Sequence, residues 1–383
     1  MGPASVAGSA PGGGRPLIIT EDPLLLDDLL RLCAAAGAEP HVHHALPEQG
    51  GAAGTVGADA DAEAAPGSAG WESAPLVLVG DDAARRVRGA PRRAGVFLVG
   101  RELDDPQVWQ QAVQIGAEEV LRLPDAESLL VDRIADVVEG AGRPALAVGV
   151  IGGSGGAGAS TLACALAVRA ARAGERTILI DGDPLGGGMD VLLGGESAEG
   201  LRWPDFAASR GRVGAGALEE SLPELHALRV LSWDRGDRVV VPPAAIRSVV
   251  AAARRRGGVV VVDLPRRVDE AVAEVLAQLD LVLMVVPGEL RSVAAAGRVA
   301  AGVRMVARDV RVVVRGRCPG GLEPEAVAGL LGAPLAGEVP VELGLPGRVA
   351  EGEPPGTQGR GALARFCDGF WQRVLGSAQG VPA

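Results

Sequence analysis

The chain has 383 residues, enough for two domains with separate cores. It is 48% hydrophobic but only 2% aromatic, with no tyrosine, so its cores must be aliphatic. The net charge is -11 and all 37 basic residues are arginine, which argues against a general polyanion or nucleic-acid binder.

Residues 1–15 have no charged n-region and no apolar h-region, so they read as a flexible lead-in rather than a signal peptide. No run of about 18 apolar residues is free of charge and breakers, so no membrane-spanning segment is expected. Cys33, Cys164, Cys318 and Cys367 lie far apart without metal spacing, as reduced thiols in a cytoplasmic protein do.

Residues 16–20 (PLIIT) read as a strand, followed by Glu21-Asp22 and a helix whose Leu25, Leu26, Leu29, Leu30 and Cys33 share a face. Glu39 to His43 reads as a second strand. His41, His43 and His44 form a tight group, but no carboxylate or cysteine sits at ligand spacing beside them, which favours no metal there. Residues 47–73, rich in Gly, Ala and Asp, read as a disordered insertion with almost nothing to bury. Strands follow at Leu76–Val79 and Val96–Val99, then helices near 106–115 and 126–139 with GAEEVLRLP between them. Alternating short β and α pieces make a small parallel α/β domain over 16–140.

This first half resembles the receiver domain of response regulators. Glu21 and Asp22 stand where receivers place a metal-binding acidic pair, and Asp81 or Asp82 falls near the phosphoacceptor position. Leu123-Pro124 stands where receivers have Lys-Pro, so the resemblance implies a degenerate receiver used for docking rather than phosphorylation. The plainer alternative is that Glu21 and Asp22 cap a helix.

After a short hinge at Gly140 to Pro144, a second domain is expected over 145–376, with a tail at 377–383. Its first stretch is strand, glycine loop, helix, strand and acidic turn. The loop Gly153-Ser154-Gly155-Gly156-Ala157-Gly158-Ala159-Ser160-Thr161 has the spacing of the phosphate-cradling GxxxxGK[ST] loop. Its lysine position holds Ala159. The next strand, Thr177 to Ile180, ends in Asp181-Gly182-Asp183-Pro184, and Gly186 to Asp190 forms a loop suited to move with a nucleotide. Further strands are expected at 228–233, 258–263, 279–287 and 310–314. The third-last of these runs Gly258-Val-Val-Val-Val-Asp263 and delivers a carboxylate to the sheet edge where parallel sheets bind ligands. A helix at 242–256 ends in Arg254 to Arg256, read as a solvated end. A last helix, 363–374, places Leu363, Phe366, Phe370 and Val374 on one face, for packing or, as the alternative, for peripheral membrane contact.

Glycine loop, DxDP turn, VVVVDLP strand and LDLVLMVVP strand, in that order, resemble the MinD/ParA family of deviant Walker ATPases, within it the actinobacterial CpaE-like or septum site-determining (Ssd) branch. The resemblance implies a receiver-like half joined to a P-loop NTPase-like parallel sheet flanked by helices. It implies ATP over Gly153 to Thr161 and Mg²⁺ held by Ser160, Asp183 and Asp263. Asp181 and Asp263 are the implied catalytic acids, and the implied assembly is a homodimer. The implied role is a spatial regulator working with protein partners in septum placement or in a Tad-type pilus or secretion apparatus, at the septum or membrane periphery. Two lysines of the family pattern are replaced, by Ser154 and Ala159, which implies weak ATP binding with slow or absent hydrolysis. An active dimer-dependent ATPase and a nucleotide-free scaffold are the alternatives.

Overall fold

The computed structural model describes residues 14–43, 68–102, 105–138, 144–209, 211–236, 240–316 and 320–379. The expected lead-in through residue 13, the insertion through residue 67, the hinge at 140–143, His44, Cys318 and the tail from 380 lie outside the described residues. The chain divides into two compact units, Met1–Ala141 and Gly142–Ala383.

The first unit runs β1 (Leu17–Ile19), α1 (Pro23–Ala35), β2 (His41–His43), α2 (Ser68–Ser73), β3 (Val77–Gly80), β4 (Val96–Gly100), α3 (Gln107–Ile115), β5 (Glu119–Arg122) and α4 (Glu127–Val138). Every strand pairs in parallel, in the order β2-β1-β3-β4-β5. That is the flavodoxin-type doubly wound order. Alternation sends Ile18 and Leu78 to one face, against Leu25 and Leu29 of α1 and Leu130 of α4. It sends Ile19 and Val79 to the other, against Val108 and Ala112 of α3.

Residues 68–73 correct the expected extent of the insertion. They form α2, whose Trp71 is only 1% exposed and donates its indole N–H to the Pro91 carbonyl at 2.9 Å. A single large aromatic anchors a stretch whose composition otherwise offers little to bury.

The second unit runs β6 (Leu146–Gly152), α5 (Ala159–Arg172), β7 (Thr177–Asp181), α6 (Met189–Leu192), a 3₁₀ turn (Trp203–Phe206), α7 (Ala215–Ser221), β8 (Glu224–Leu225), β9 (Leu228–Leu231), α8 (Pro243–Arg255) and β10 (Val259–Leu264). It continues with α9 (Glu270–Leu276), β11 (Leu281–Pro287), α10 (Leu290–Arg304), β12 (Val310–Arg315), α11 (Pro324–Leu331), β13 (Leu335–Val339), α12 (Leu345–Ala350) and α13 (Ala362–Gln379). The strand order is β13-β12-β11-β6-β10-β7-β9-β8, parallel except for the terminal β8–β9 pair.

β6 lies centrally, between β10 and β11. Val260 and Val262 of β10 face a core with Val249 of α8, Val275 of α9 and Ala296 of α10. Val259 and Val261 face the opposite core, made with Leu166 of α5 and Phe370 of α13. Both faces are therefore covered, as a run of consecutive β-branched residues requires.

Two expectations about surfaces change here. Leu363, Cys367, Phe370 and Trp371 of α13 are buried, and the Trp371 indole donates to the Leu166 carbonyl at 3.0 Å. The apolar face offered as a membrane contact is thus already occupied by α5. The Arg254–Arg256 end is not simply solvated: Arg254 bonds Asp280 at 2.9 Å, Arg255 bonds the Val213 carbonyl, and Arg256 bonds Glu219 at 3.1 Å. No helix among the described residues is long and apolar enough to cross a membrane.

Candidate functional site

The chemistry-bearing residues gather at the C-terminal edge of the second sheet, where β6, β7 and β10 end side by side. Register places Asp263 beside Asp181 on one flank and beside Val150 of β6 on the other. The loop leaving β6 turns through Gly156 (φ +70°) and Gly158 (φ +92°), left-handed conformations that favour glycine. α5 starts at once, with Gly158 as N-cap and no side chain capping it. Its first-turn amides are left for a ligand, and the helix dipole favours an anion there.

The loop residues do not all serve the same end. Gly153 faces inward: its N–H donates to the Val285 carbonyl at 2.8 Å, and a Cβ there would lie 2.6 Å from the Ala296 methyl. Ala157 is 2% exposed and belongs to the core. Ser154 is turned toward α10, its hydroxyl 3.3 Å from that of Ser292. Gly155 and Gly156 leave their Cβ positions free of close backbone contact, and Gly158, Ser160 and Thr161 line cavities.

One cavity, of about 310 Å³, is lined by Ser160, Asp181, Gly186 to Gly188 and Asp263. A second, of about 490 Å³, is lined by Gly158, Arg315 and an apolar segment that includes Pro340, Leu343 and Pro346. Thr161 and Leu192 line both, and each volume falls in the range of small-molecule sites.

Asp181 is 2% exposed and held by three donors: the N–H of Met189 at 3.0 Å, the hydroxyl of Ser232 at 3.0 Å and the N–H of Asp183 at 3.1 Å. Burial pushes its carboxyl up to about 6, against those hydrogen bonds. Asp263 is pushed up to about 7, first by burial and then by the charges of Asp181 and Asp183, while the nearby Ser160 hydroxyl opposes the rise. Asp183 is placed differently. It does not line the cavity, and its Oδ1 accepts the Leu185 N–H at 3.0 Å inside its own turn.

Hydroxyl and carboxylate oxygens around one cavity fit a hard divalent cation such as Mg²⁺, which takes one or two carboxylates and completes its shell with water and phosphate. Among the described residues no three His, Cys, Asp or Glu side chains form a group that could hold a metal ion by themselves. Ser160 and Asp263 are the residues that would hold the cation. The uncapped amides at Gly158 to Thr161 fit a phosphate chain, but Ala159 offers no charge to it.

Several participants were not singled out from sequence. Ser232 bridges Asp181 and Asp190, its hydroxyl 3.0 and 3.2 Å from their carboxylates. Asp190, 1% exposed, is neutralised by Arg235 at 2.7 Å. The indoles of Trp203 and Trp233 both donate to the Asp181 carbonyl, at 2.6 and 3.1 Å. The signal that finds Ser232 and Trp233 is their place just past the end of a parallel strand, the edge where such sheets bind ligands.

The first unit's acids are largely committed to structure. Asp22 caps α1, accepting from the N–H groups of Leu24 and Leu25. Glu21 pairs with Arg86. Asp82 accepts from the Thr20 hydroxyl and the Glu21 N–H, both at 2.7 Å. Asp81 is half-buried, and burial raises its carboxyl above the usual range.

Residues 48–145 match a family described as Rv3660c-like, CheY-like N-terminal domain. The uncharacterized protein Rv3660c of Mycobacterium tuberculosis H37Rv is 38% identical over 271 residues, 69% of this chain and 76% of that protein. The chain belongs to the Rv3660c-like family. Solved structures resemble the second unit of this Rv3660c-like protein. A ParA family ATPase from Chlorobium tepidum superposes with a TM-score of 0.53 at 16% identity, over 60% of this chain and 98% of its own. The MinD cell division protein of Aquifex aeolicus gives 0.51 at 21%, over 62% and 99%. The septum site-determining protein MinD of Pyrococcus horikoshii, complexed with Mg-ADP, gives 0.52 at 16%, over 62% and 100%. The Rv3660c-like chain is thus an α/β protein, with a CheY-like N-terminal domain and a P-loop NTPase-like parallel sheet flanked by helices.

Proposed function

We propose that the second unit binds an adenine nucleotide with Mg²⁺ over Gly155 to Thr161, weakly and with slow or no hydrolysis. We further propose that the whole protein is a spatial regulator of the MinD/ParA kind. The observation that carries this is the convergence of Ser160, Asp181 and Asp263 on one cavity beside a helix start that no side chain caps. Packing alone does not call for three such groups converging where α5 begins. The larger cavity, with its apolar lining, suits a purine base beside that phosphate site.

Asp181, held by three donors, is oriented to accept from a water at the cavity. Ser160 and Asp263 hold the cation, which when bound screens phosphate charge. Without a lysine at 159, one charge-assisted contact is missing, which weakens binding about tenfold to a hundredfold. Turnover falls by about 10²–10³ when one preorganised charge is removed.

For the cellular role, the CpaE-like and Ssd resemblance supports septum placement or the assembly of a Tad-type pilus or secretion apparatus. In that reading the CheY-like unit docks protein partners, since its Glu21, Asp22 and Asp82 are tied up in structure, and the second unit pairs with a second copy. The test is calorimetric titration with ATP and Mg²⁺ on the full chain, beside an Ala159→Lys variant. Micromolar or weaker binding by the wild type, tightened in the variant, is expected. No heat from the wild type would sink the nucleotide reading and leave a scaffold. Phosphate release abolished by Asp181→Ala would instead establish an active ATPase.

A further inference from the structure

Two arginines approach the loop that lacks a lysine. Arg315 closes β12, whose register sets it beside Pro287 of β11 and Val339 of β13. From there its Nη1 donates to the carbonyls of Gly156 at 3.0 Å and Ala157 at 3.2 Å. A Cβ on Gly158 would lie 2.9 Å from that same nitrogen, so the guanidinium rests directly against the turn into α5. Arg266 stands just past the end of β10, and its guanidinium lies 3.8 Å from where a Cβ on Gly155 would be. Between them they flank Gly155 to Gly158.

Their bonding sets them apart from arginines that hold this unit together. Arg169 pairs with Asp368, Arg176 with Glu219, Arg254 with Asp280 and Arg348 with Glu342. Arg315 meets only neutral carbonyls, through one nitrogen, and its Nε and Nη2 have no partner among the described residues. Arg266 is exposed and meets no hydrogen-bonding partner among them. Glu342, the acid lining the same cavity as Arg315, is already taken by Arg348. In a chain with 48 acids, two guanidiniums with no acid paired to them among the described residues stand by an uncapped helix start, and Arg315 lines the 490 Å³ cavity there.

A guanidinium presents five donors in a planar fork that matches phosphate oxygens two at a time. Resting on loop carbonyls, it is stored within a side chain's length of the amides that would meet the same phosphates. The alternative, a latch that merely holds the loop, would use the carbonyl bonds and have no need of the charge.

We propose that Arg315, seconded by Arg266, is the cation that holds a nucleotide's phosphate chain in place of the lysine missing at Ala159. The inference rests on the nucleotide reading above and assigns its charge to this chain rather than to a partner. Arg315→Gln keeps an amide that can still bond the carbonyls but removes the charge. Calorimetry on the full chain with ATP and Mg²⁺ is expected to show about tenfold to hundredfold weaker binding in this variant. The unliganded melting temperature should stay in place, and the fall of affinity with salt should be shallower than in the wild type. Adding Ala159→Lys to Arg315→Gln should recover the loss, and Arg266→Gln should weaken binding by a smaller factor. Binding by Arg315→Gln that equals or exceeds wild type overturns the proposal, as does a loss accompanied by a lowered unliganded melting temperature. If the wild type itself binds no ATP, the nucleotide reading falls first, and this inference with it.

Discussion

Asp263 is 4% exposed, lines a cavity with Ser160 and is the register partner of Asp181. Its carboxyl titrates near 3.9 in an unfolded chain and at about 7 in the fold. A pKa raised by folding means that the protonated form is the stabilised one. Its stabilising contribution is complete below the unfolded value and is lost as pH climbs through the folded one. Asp263→Asn, which keeps the shape and removes the charge, should therefore melt higher than wild type at pH 8 without Mg²⁺. The gap, on the order of a few kcal/mol, should close near pH 4. A gap that does not change between those pH values would show that the carboxylate is not strained by burial. The same substitution removes a charge from the proposed cation site, so added stability should come with weaker Mg²⁺-dependent nucleotide binding, a common trade at functional sites.

At the scale of elements, α13 and α5 form a pair whose seam holds Phe370, Trp371 and Cys367 against Leu166 and its neighbours. The Phe370 and Trp371 rings meet edge to face, centroids 4.9 Å apart. In a chain with four phenylalanines and five tryptophans, such a cluster concentrates scarce aromatic surface behind the helix that follows the glycine loop. Phe370→Ala should destabilise the second unit by about 3–5 kcal/mol, read from urea unfolding. A change below about 1 kcal/mol would mean that the helix is only loosely seated. That outcome would reopen the membrane-contact reading, which needs the apolar face to be available.

For the whole molecule, two units with separate cores should unfold in separable steps. A ligand that binds one folded unit stabilises that unit alone, by about 2.7 kcal/mol at a hundred times its dissociation constant. Scanning calorimetry with saturating ATP and Mg²⁺ should raise the transition of the second unit and leave that of the first unmoved. Equal shifts in both would show that nucleotide couples the units; no shift would count against the site.

Much of this architecture was legible in the chain. Runs such as Val259 to Val262 can only be buried on both faces, which means parallel strands under helices. A glycine loop between an apolar strand and an alanine-rich helix leaves few alternatives, and the loss of lysine at Ala159 is visible in the letters alone. Local composition and spacing carry such features because they act over a few residues. The insertion misled by its composition, since one tryptophan, Trp71, outweighs its small neighbours once a core is there to receive it.

What the letters could not show is which distant groups meet. Arg315 lies 159 residues from Gly156, and only the pairing of β12 with β11, and of β11 with β6, carries it to the loop. Ser232 reaches Asp181 across 51 residues because β9 lies beside β7. Gly153 looks like a ligand glycine until Ala296 is packed against it. Strand order in a parallel sheet is settled by long crossovers and by packing on both faces. The electrostatics of the site therefore belong to the tertiary structure, while the loop that needs them belongs to the sequence.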